Sequence, residues 1–190
     1  MKRISVLLLL LATIGLNGCG SILATLQSDS IADDPGERTL GQQIEDESIE
    51  TKSVVNIHSV DDAFSDAHLV VISYNGYVLI AGQVQSEALK ARATQVVRDV
   101  RNVRRIYNEL EVSAPSSAMT RTSDTWITTK VKSWLLGDSR IEGGRVKVVT
   151  ENGVVYLMGL ATKAEADRIT DSASGISGVQ RVVQLFEIID

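Results

Sequence analysis

Apolar positions are distributed in three regimes along the chain. The first is a continuous run, "ISVLLLLLATIGL", of 13 residues directly after Met1-Lys2-Arg3. A membrane-spanning helix needs about 20 such residues, so a short basic start followed by this run predicts a secretory signal segment. The second regime, from Ser21 to about Gln43, is polar and acidic, contains Pro35, and reads as a tether. The third fills the rest of the chain, where short alternating apolar runs are interleaved with stretches of helical period.

That third regime repeats itself. "YNGYVLIAGQV" (74–84) and "ENGVVYLMGLA" (151–161) each set Asn-Gly between apolar residues, with a glycine further on at Gly82 and Gly159. Asn-Gly in this setting is the strongest local signal for a tight hairpin. "HLVVISY" and "RVKVVTE" supply the first arm of each hairpin. Downstream, "SEALKARATQVVRDV" and "TKAEADRITDSASGI" open on Ser or Thr with a nearby Glu, a helix start. The strand-like runs 102–112 and 178–189 follow, and helical stretches at about 46–58 and 124–136 precede the hairpins. Each half therefore predicts the order α-β-β-α-β. This is an α+β fold with a small three-stranded sheet packed on two helices. The organisation expected is a signal segment 1–18, a tether 19–43, a first domain 44–112, a linker 113–122 and a second domain 123–190. A rival parse joins both sheets into one merged domain.

Both tryptophans fall in "SDTWITTKVKSWLL" (123–136), in a chain with eight Phe, Trp and Tyr residues in all. At roughly 100° per residue, Ile127, Val131, Trp134 and Leu135 form one apolar face. Trp134 is thus expected inside the core. Trp126 lies about 125° away on that wheel, beside Thr129 and Ser133, with Leu136 toward the same side. Ser123 or Asp124 is placed to cap this helix, which puts Trp126 in its first turn. An outward indole near Lys130 and Lys132 suits a lipid headgroup boundary, having a large apolar body and a polar N–H. The competing placement packs Trp126 against the linker or the first repeat.

Charge sharpens this contrast. The chain carries −5 overall, which argues against nucleic acid as a partner. Between Arg121 and Lys147, however, six basic residues face three acidic ones. The matching helix of the first repeat carries Asp46, Glu47 and Glu50 and no aromatic residue, and the carboxylates of "IEDESIE" and "DDAFSD" read as solvated charge. The single cysteine excludes an internal disulfide and a cysteine-built zinc site. His58 and His68 stand apart, without metal-ligand spacing. No phosphate loop or G-x-S-x-G elbow occurs, so no cofactor, metal or enzymatic activity is expected. The run "RDVRNVRR" (98–105) reads as a solvated face of helix and loop, or as a site for a partner or for phosphate groups.

With "NG-V-L-G" followed by a later "GV-RV" strand, each repeat resembles the BON domain. The chain as a whole, with "LNGC" ending at Cys19, resembles the dual BON-domain outer-membrane lipoproteins. The resemblance implies cleavage before Cys19, lipidation (including palmitate) of that cysteine, and an outer-membrane anchor facing the periplasm. It further implies that the first helix of the second BON domain binds anionic phospholipids such as phosphatidylglycerol and cardiolipin. Trp126, Thr129, Lys130 and Ser133 fall within the matching motif, while Lys132 and Leu136 join them from charge and the wheel. Enrichment at division sites, envelope-stress protection and support of outer-membrane protein assembly are implied by the same likeness. The first repeat departs from the pattern with Asn102 where the second has Gly178. A scaffold that docks an envelope protein on the same helix is the alternative.

Overall fold

The computed structural model describes residues 34–189. The lipidation position, Cys19, and the signal segment lie outside the described residues. Helix α1 (Leu40–Val60) starts earlier than its apolar period suggests, because Thr39 and Gln42 form a capping box. Strands β1 (His68–Tyr74) and β2 (Tyr77–Val84) pair antiparallel. The turn between them places Asn75 and Gly76 at φ of 52° and 75°, the left-handed pair that a two-residue hairpin needs. Helix α2 (Glu87–Arg98), capped by Ser86, returns the chain so that β3 (Arg105–Val112) lies parallel to β2.

The second repeat follows the same course. Helix α3 (Ala118–Gly137) is capped by Ser117, so the segment read as a linker is already helical from residue 118. Trp126 consequently sits well inside the helix and not in its first turn. Strands β4 (Lys147–Glu151) and β5 (Val154–Met158) form the hairpin, β6 (Leu160–Ala161) follows, and Thr162 with Glu165 makes a capping box for α4 (Lys163–Ser174). The last run is split into β7 (Arg181–Gln184), parallel to β5, and β8 (Glu187–Ile188), parallel to β6. The split has a cause at Gly159, where an added Cβ would stand 3.2 Å from the Phe186 ring. A side chain at 159 would press on that ring and on the Arg145 carbonyl, 3.0 Å from the same Cβ, so the close crossing is easiest with glycine.

One carboxylate in each first helix holds the adjacent hairpin. In α1, Asp46 accepts from the Ser73 hydroxyl (2.6 Å), from the backbone N–H groups of Asn75 (2.8 Å) and Gly76 (2.9 Å), and from Arg38 (2.7 Å). In α3, Asp124 accepts from the N–H groups of Asn152 and Gly153, both at 2.9 Å. Both carboxylates are buried, in contrast to the solvated charge expected of "IEDESIE" and the capping role expected of Asp124. They set the inner face of each helix, which reads Asp46, Ile49, Ser53, Ile57 in α1 and Asp124, Ile127, Val131, Leu135 in α3.

Each sheet covers its two helices with one face. The cores are Ile49, Ile57, Phe64, Val78, Ile80 and Val97 in the first repeat and Ile127, Val131, Leu135, Val155, Leu157 and Ile169 in the second. The other faces of the two sheets pack on each other through Tyr74, Leu79, Ala81, Val154, Tyr156, Met158 and Leu185. The order of layers is therefore helices, sheet, sheet, helices. The merged-domain parse is answered by stacking, since the sheets share no ladder of hydrogen bonds.

The contacts across the stack come in matched pairs, as at a two-fold interface between identical subunits. The Asn75 side-chain amide donates to Glu187 (2.6 Å), and the Asn152 amide donates to Glu111 (3.1 Å). The first residue of one β1 arm, His68, meets Glu151 at 3.2 Å, while the Tyr74 hydroxyl donates to the Arg145 carbonyl at 2.9 Å. Burial raises the pKa of Glu151, and the contact with His68 opposes that shift. Lys147 crosses to Glu50 at 2.7 Å.

Two outcomes follow for stability. Leu79→Ala, at the centre of the stack, is expected to cost about 3 kcal/mol, and both repeats should still unfold in a single urea transition. Asp46 responds to pH. Burial pushes its pKa up, but donors from Ser73, Gly76, Arg38 and Asn75 outweigh that and hold it below the ordinary carboxylate value. Its stabilisation is present above the unfolded value and is lost as pH falls through the lower folded one. Asp46→Asn should remove about 2–3 kcal/mol at neutral pH and flatten the acid limb of a stability-versus-pH curve.

Candidate functional site

With Asp124, Ile127, Val131 and Leu135 turned inward, the residues of α3 a quarter-turn away face outward. Trp126 is 64% exposed and Trp134 is 61% exposed. The expectation that Trp134 belongs to the core is corrected here. The inner stripe is centred between Asp124 and Val131, and Trp134 falls about 65° from that centre at 100° per residue, toward the edge of what the sheet covers.

The two indoles flank an open groove of about 630 Å³ between α3 and the end of α4. Thr129, Lys130 and Ser133 line it from α3, Arg140 from the following loop, and Ser172, Gly175, Ile176 and Ser177 from the opposite wall. Small residues on that wall leave the space open. The equivalent corner of the first repeat carries Asp99, Val100 and Arg101. The Lys130 ammonium donates to the carbonyl of Ser177, and Gly178, at φ 102°, turns the chain beneath it. An added Cβ at Gly178 would lie 3.2 Å from Ile127 and 3.5 Å from the Lys130 ammonium.

The groove's cations differ in how they are held. Lys130 is held by a neutral carbonyl and not by a carboxylate. Arg140 forms a forked pair with Asp138, at 2.9 and 2.7 Å. Those hydrogen bonds hold the Asp138 pKa down at about 2, so the pair is ionised throughout the physiological range. Thr129 and Ser133 supply hydroxyls at the rim. The Thr129 hydroxyl donates to the Thr125 carbonyl, so a groove with indole N–H groups, the Lys130 ammonium and the Ser133 hydroxyl suits an amphipathic anion lying across its mouth.

Four of the six side chains expected at the site, Trp126, Thr129, Lys130 and Ser133, converge on this groove. Lys132 does not; it lines a separate cleft of about 420 Å³ on the other flank of α3, with Thr125, Thr128, Thr150 and Glu151. Leu136 is 68% exposed and outside the groove. The basic stretch from Arg121 to Lys147 is also partly neutralised, since Lys147 pairs with Glu50 and Arg140 with Asp138. Trp134, Arg140 and the wall 172–177 were not anticipated. The small-residue run "SASGISG" (172–178) is the signal that could have pointed to the wall. Among the described residues, no group of three His, Cys, Asp or Glu side chains converges to hold a metal, and no helix is long and apolar enough to cross a membrane.

The chain belongs to the BON-domain family, with matches at residues 45–114 and 123–190, and is a dual BON-domain outer-membrane lipoprotein. Its similarity to the Outer membrane lipoprotein DolP of Haemophilus influenzae is 38% identity over 100% of this chain and 97% of that protein. It is 32% identical to a 21 kDa hemolysin of Actinobacillus pleuropneumoniae, over 80% of this chain and 78% of that one. It is 29% identical to the Osmotically-inducible protein Y of Escherichia coli, over 78% of this chain and 75% of that protein.

The exposure of Trp134 is directly testable. Trp134→Ala should cost less than about 1 kcal/mol in urea unfolding, where a core tryptophan would cost about 3–5 kcal/mol. Acrylamide should quench both indoles efficiently in the free protein.

Proposed function

We propose that this lipoprotein is anchored to the outer membrane through acyl chains on Cys19 and binds anionic phospholipids through α3 of its second BON domain, supporting envelope integrity. The observation that carries this reading is the pair of exposed indoles on one helix face with Lys130 between them. Tryptophan side chains favour the interfacial zone of a bilayer. Cations near an anionic surface add about 1 kcal/mol each. The exposed Leu136 lies outside the groove, and Arg121 and Lys132 line the cleft on the other flank of α3, so the face offered to the leaflet is that of Trp126, Lys130 and Trp134.

The covalent anchor makes a weak second contact sufficient, because the tethered domain meets the leaflet at high effective concentration. Two acyl signals hold a protein stably at a membrane, so α3 need not supply residence. Its role is recognition. Phosphatidylglycerol and cardiolipin fit because each presents phosphate and hydroxyl groups to Lys130, Thr129 and Ser133 while the acyl region meets the indoles. The first repeat has Ser48 and Asn56 where α3 carries its tryptophans, and it makes no equivalent contact.

Co-sedimentation of residues 21–190 with vesicles tests this. Binding to phosphatidylglycerol vesicles should exceed binding to neutral phosphatidylcholine vesicles and fall at least tenfold in Trp126→Glu, with the far-UV spectrum unchanged (about 1.4 kcal/mol or more). Equal binding to both vesicle types, or none to either, favours a protein partner on α3.

A further inference from the structure

The sequence stretch that the lipid reading leaves unused is the arginine-rich one. Lys90, Arg92, Arg98, Arg101, Arg104 and Arg105 stand against a single acid, Asp99, between residues 90 and 105. The fold does not require this charge. The corresponding stretch of the second repeat, 166–181, carries two arginines and two aspartates.

The cations gather where α2 ends and β3 begins, and Arg98, Arg101, Arg104 and Arg105 are all exposed. Two of them are positioned by aromatic rings. The Arg104 guanidinium lies 5.1 Å from the Tyr77 ring centre and that of Arg105 lies 5.2 Å from it, with Tyr107 at 6.0 Å from Arg105. Arg104 also forks onto Glu187 at 2.9 and 2.6 Å. Here the second repeat already lays a carboxylate on this corner, which shows the chemistry the corner accepts. Arg98 and Arg101 have no hydrogen-bond or ion-pair partner among the described residues. Guanidinium groups held in place by aromatic stacking favour carboxylates in bidentate geometry.

The corner belongs to the first repeat. Arg104 and Arg105 stand beside Tyr77 and Tyr107 at the edge of the seam between the stacked sheets, where Glu187 of the second repeat reaches Arg104, and Arg98 and Arg101 extend the corner from the end of α2. None of these side chains lines the tryptophan groove. We propose that this arginine corner docks an acidic, carboxylate-rich segment of a partner protein. The corner's affinity for carboxylates stands on its own geometry, and the choice of a protein over the leaflet rests on the lipid reading of α3.

The test uses residues 21–190, which contain the compact unit Pro35–Asp190, and a fluorescein-labelled peptide of alternating Glu and Gly. Anisotropy should show salt-sensitive binding, with no binding of the matching Gln-Gly peptide. Arg98→Glu with Arg101→Glu should weaken it roughly tenfold or more by placing like charges against the carboxylates. Arg98→Lys with Arg101→Lys should weaken it only a few-fold, because the charge stays and the fork is lost. The charge-reversed protein should still sediment with phosphatidylglycerol vesicles, and Trp126→Glu should still bind the peptide. Absence of peptide binding, peptide binding unmoved by charge reversal, or loss of vesicle binding on charge reversal would each overturn the proposal. Vesicle binding that survives Trp126→Glu would instead defeat the lipid reading and leave the peptide result to be judged separately.

Discussion

A buried aspartate clamping a backbone turn governs the geometry of this protein. Asp124 reaches from the middle of α3 to the N–H groups of Asn152 and Gly153, and a buried carboxylate without those donors would be costly. The helix is thus not free to roll about its axis to bury more apolar surface. Asp124 points inward, Ile127, Val131 and Leu135 follow it, and the indoles of Trp126 and Trp134 are left outside. Burying Trp134 would gain hydrophobic free energy, but only by withdrawing Asp124 from the turn. The same clamp in α1 uses Asp46, where no tryptophan is at stake.

The duplication gives the second constraint. A three-stranded sheet with helices on one face leaves its other face apolar, and two copies solve this by covering each other through Leu79, Tyr156, Met158 and their neighbours. Matched contacts, Asn75 to Glu187 and Asn152 to Glu111, show that the stack follows the symmetry of the repeat. Stacking commits the inner faces to stability and frees the two outer helical layers to diverge. One acquired indoles and a groove walled by small residues. The first repeat instead carries arginines set over tyrosine rings at the edge of the seam between the sheets.

Much of the fold was legible because its signals are local. The Asn-Gly hairpins, the Ser86 and Thr162 caps and the α-β-β-α-β order depend on residues near each other in sequence. The stacking of the sheets was not legible, since it joins Tyr74 and Leu79 to Tyr156 and Met158 across the linker. At the site, Trp126, Thr129, Lys130 and Ser133, taken from the family resemblance with Trp126 set outward by the wheel, line one groove. Trp134 was misplaced because the wheel assigned the inner face by apolarity alone. Asp124, a polar residue resembling a cap, is the member that fixes the centre of that face. The opposite wall, Ser172 to Ser177, could not be paired with α3 from spacing, because its contribution is the smallness of its side chains. The acids of α1 were misread for a related reason. Asp46 and Glu50 look solvated in sequence, yet one holds a turn and the other receives Lys147 from the neighbouring repeat.

The central claim is that both indoles of α3 enter an anionic leaflet while the sheet stack stays intact. Tryptophan emission during titration with phosphatidylglycerol vesicles carrying brominated acyl chains tests it most directly, because bromine quenches only indoles that come within near contact. Wild-type emission should shift to the blue and be quenched, and the variants Trp126→Phe and Trp134→Phe should each retain a quenched indole. Vesicle-bound protein whose emission keeps its free-state wavelength and intensity would contradict the account.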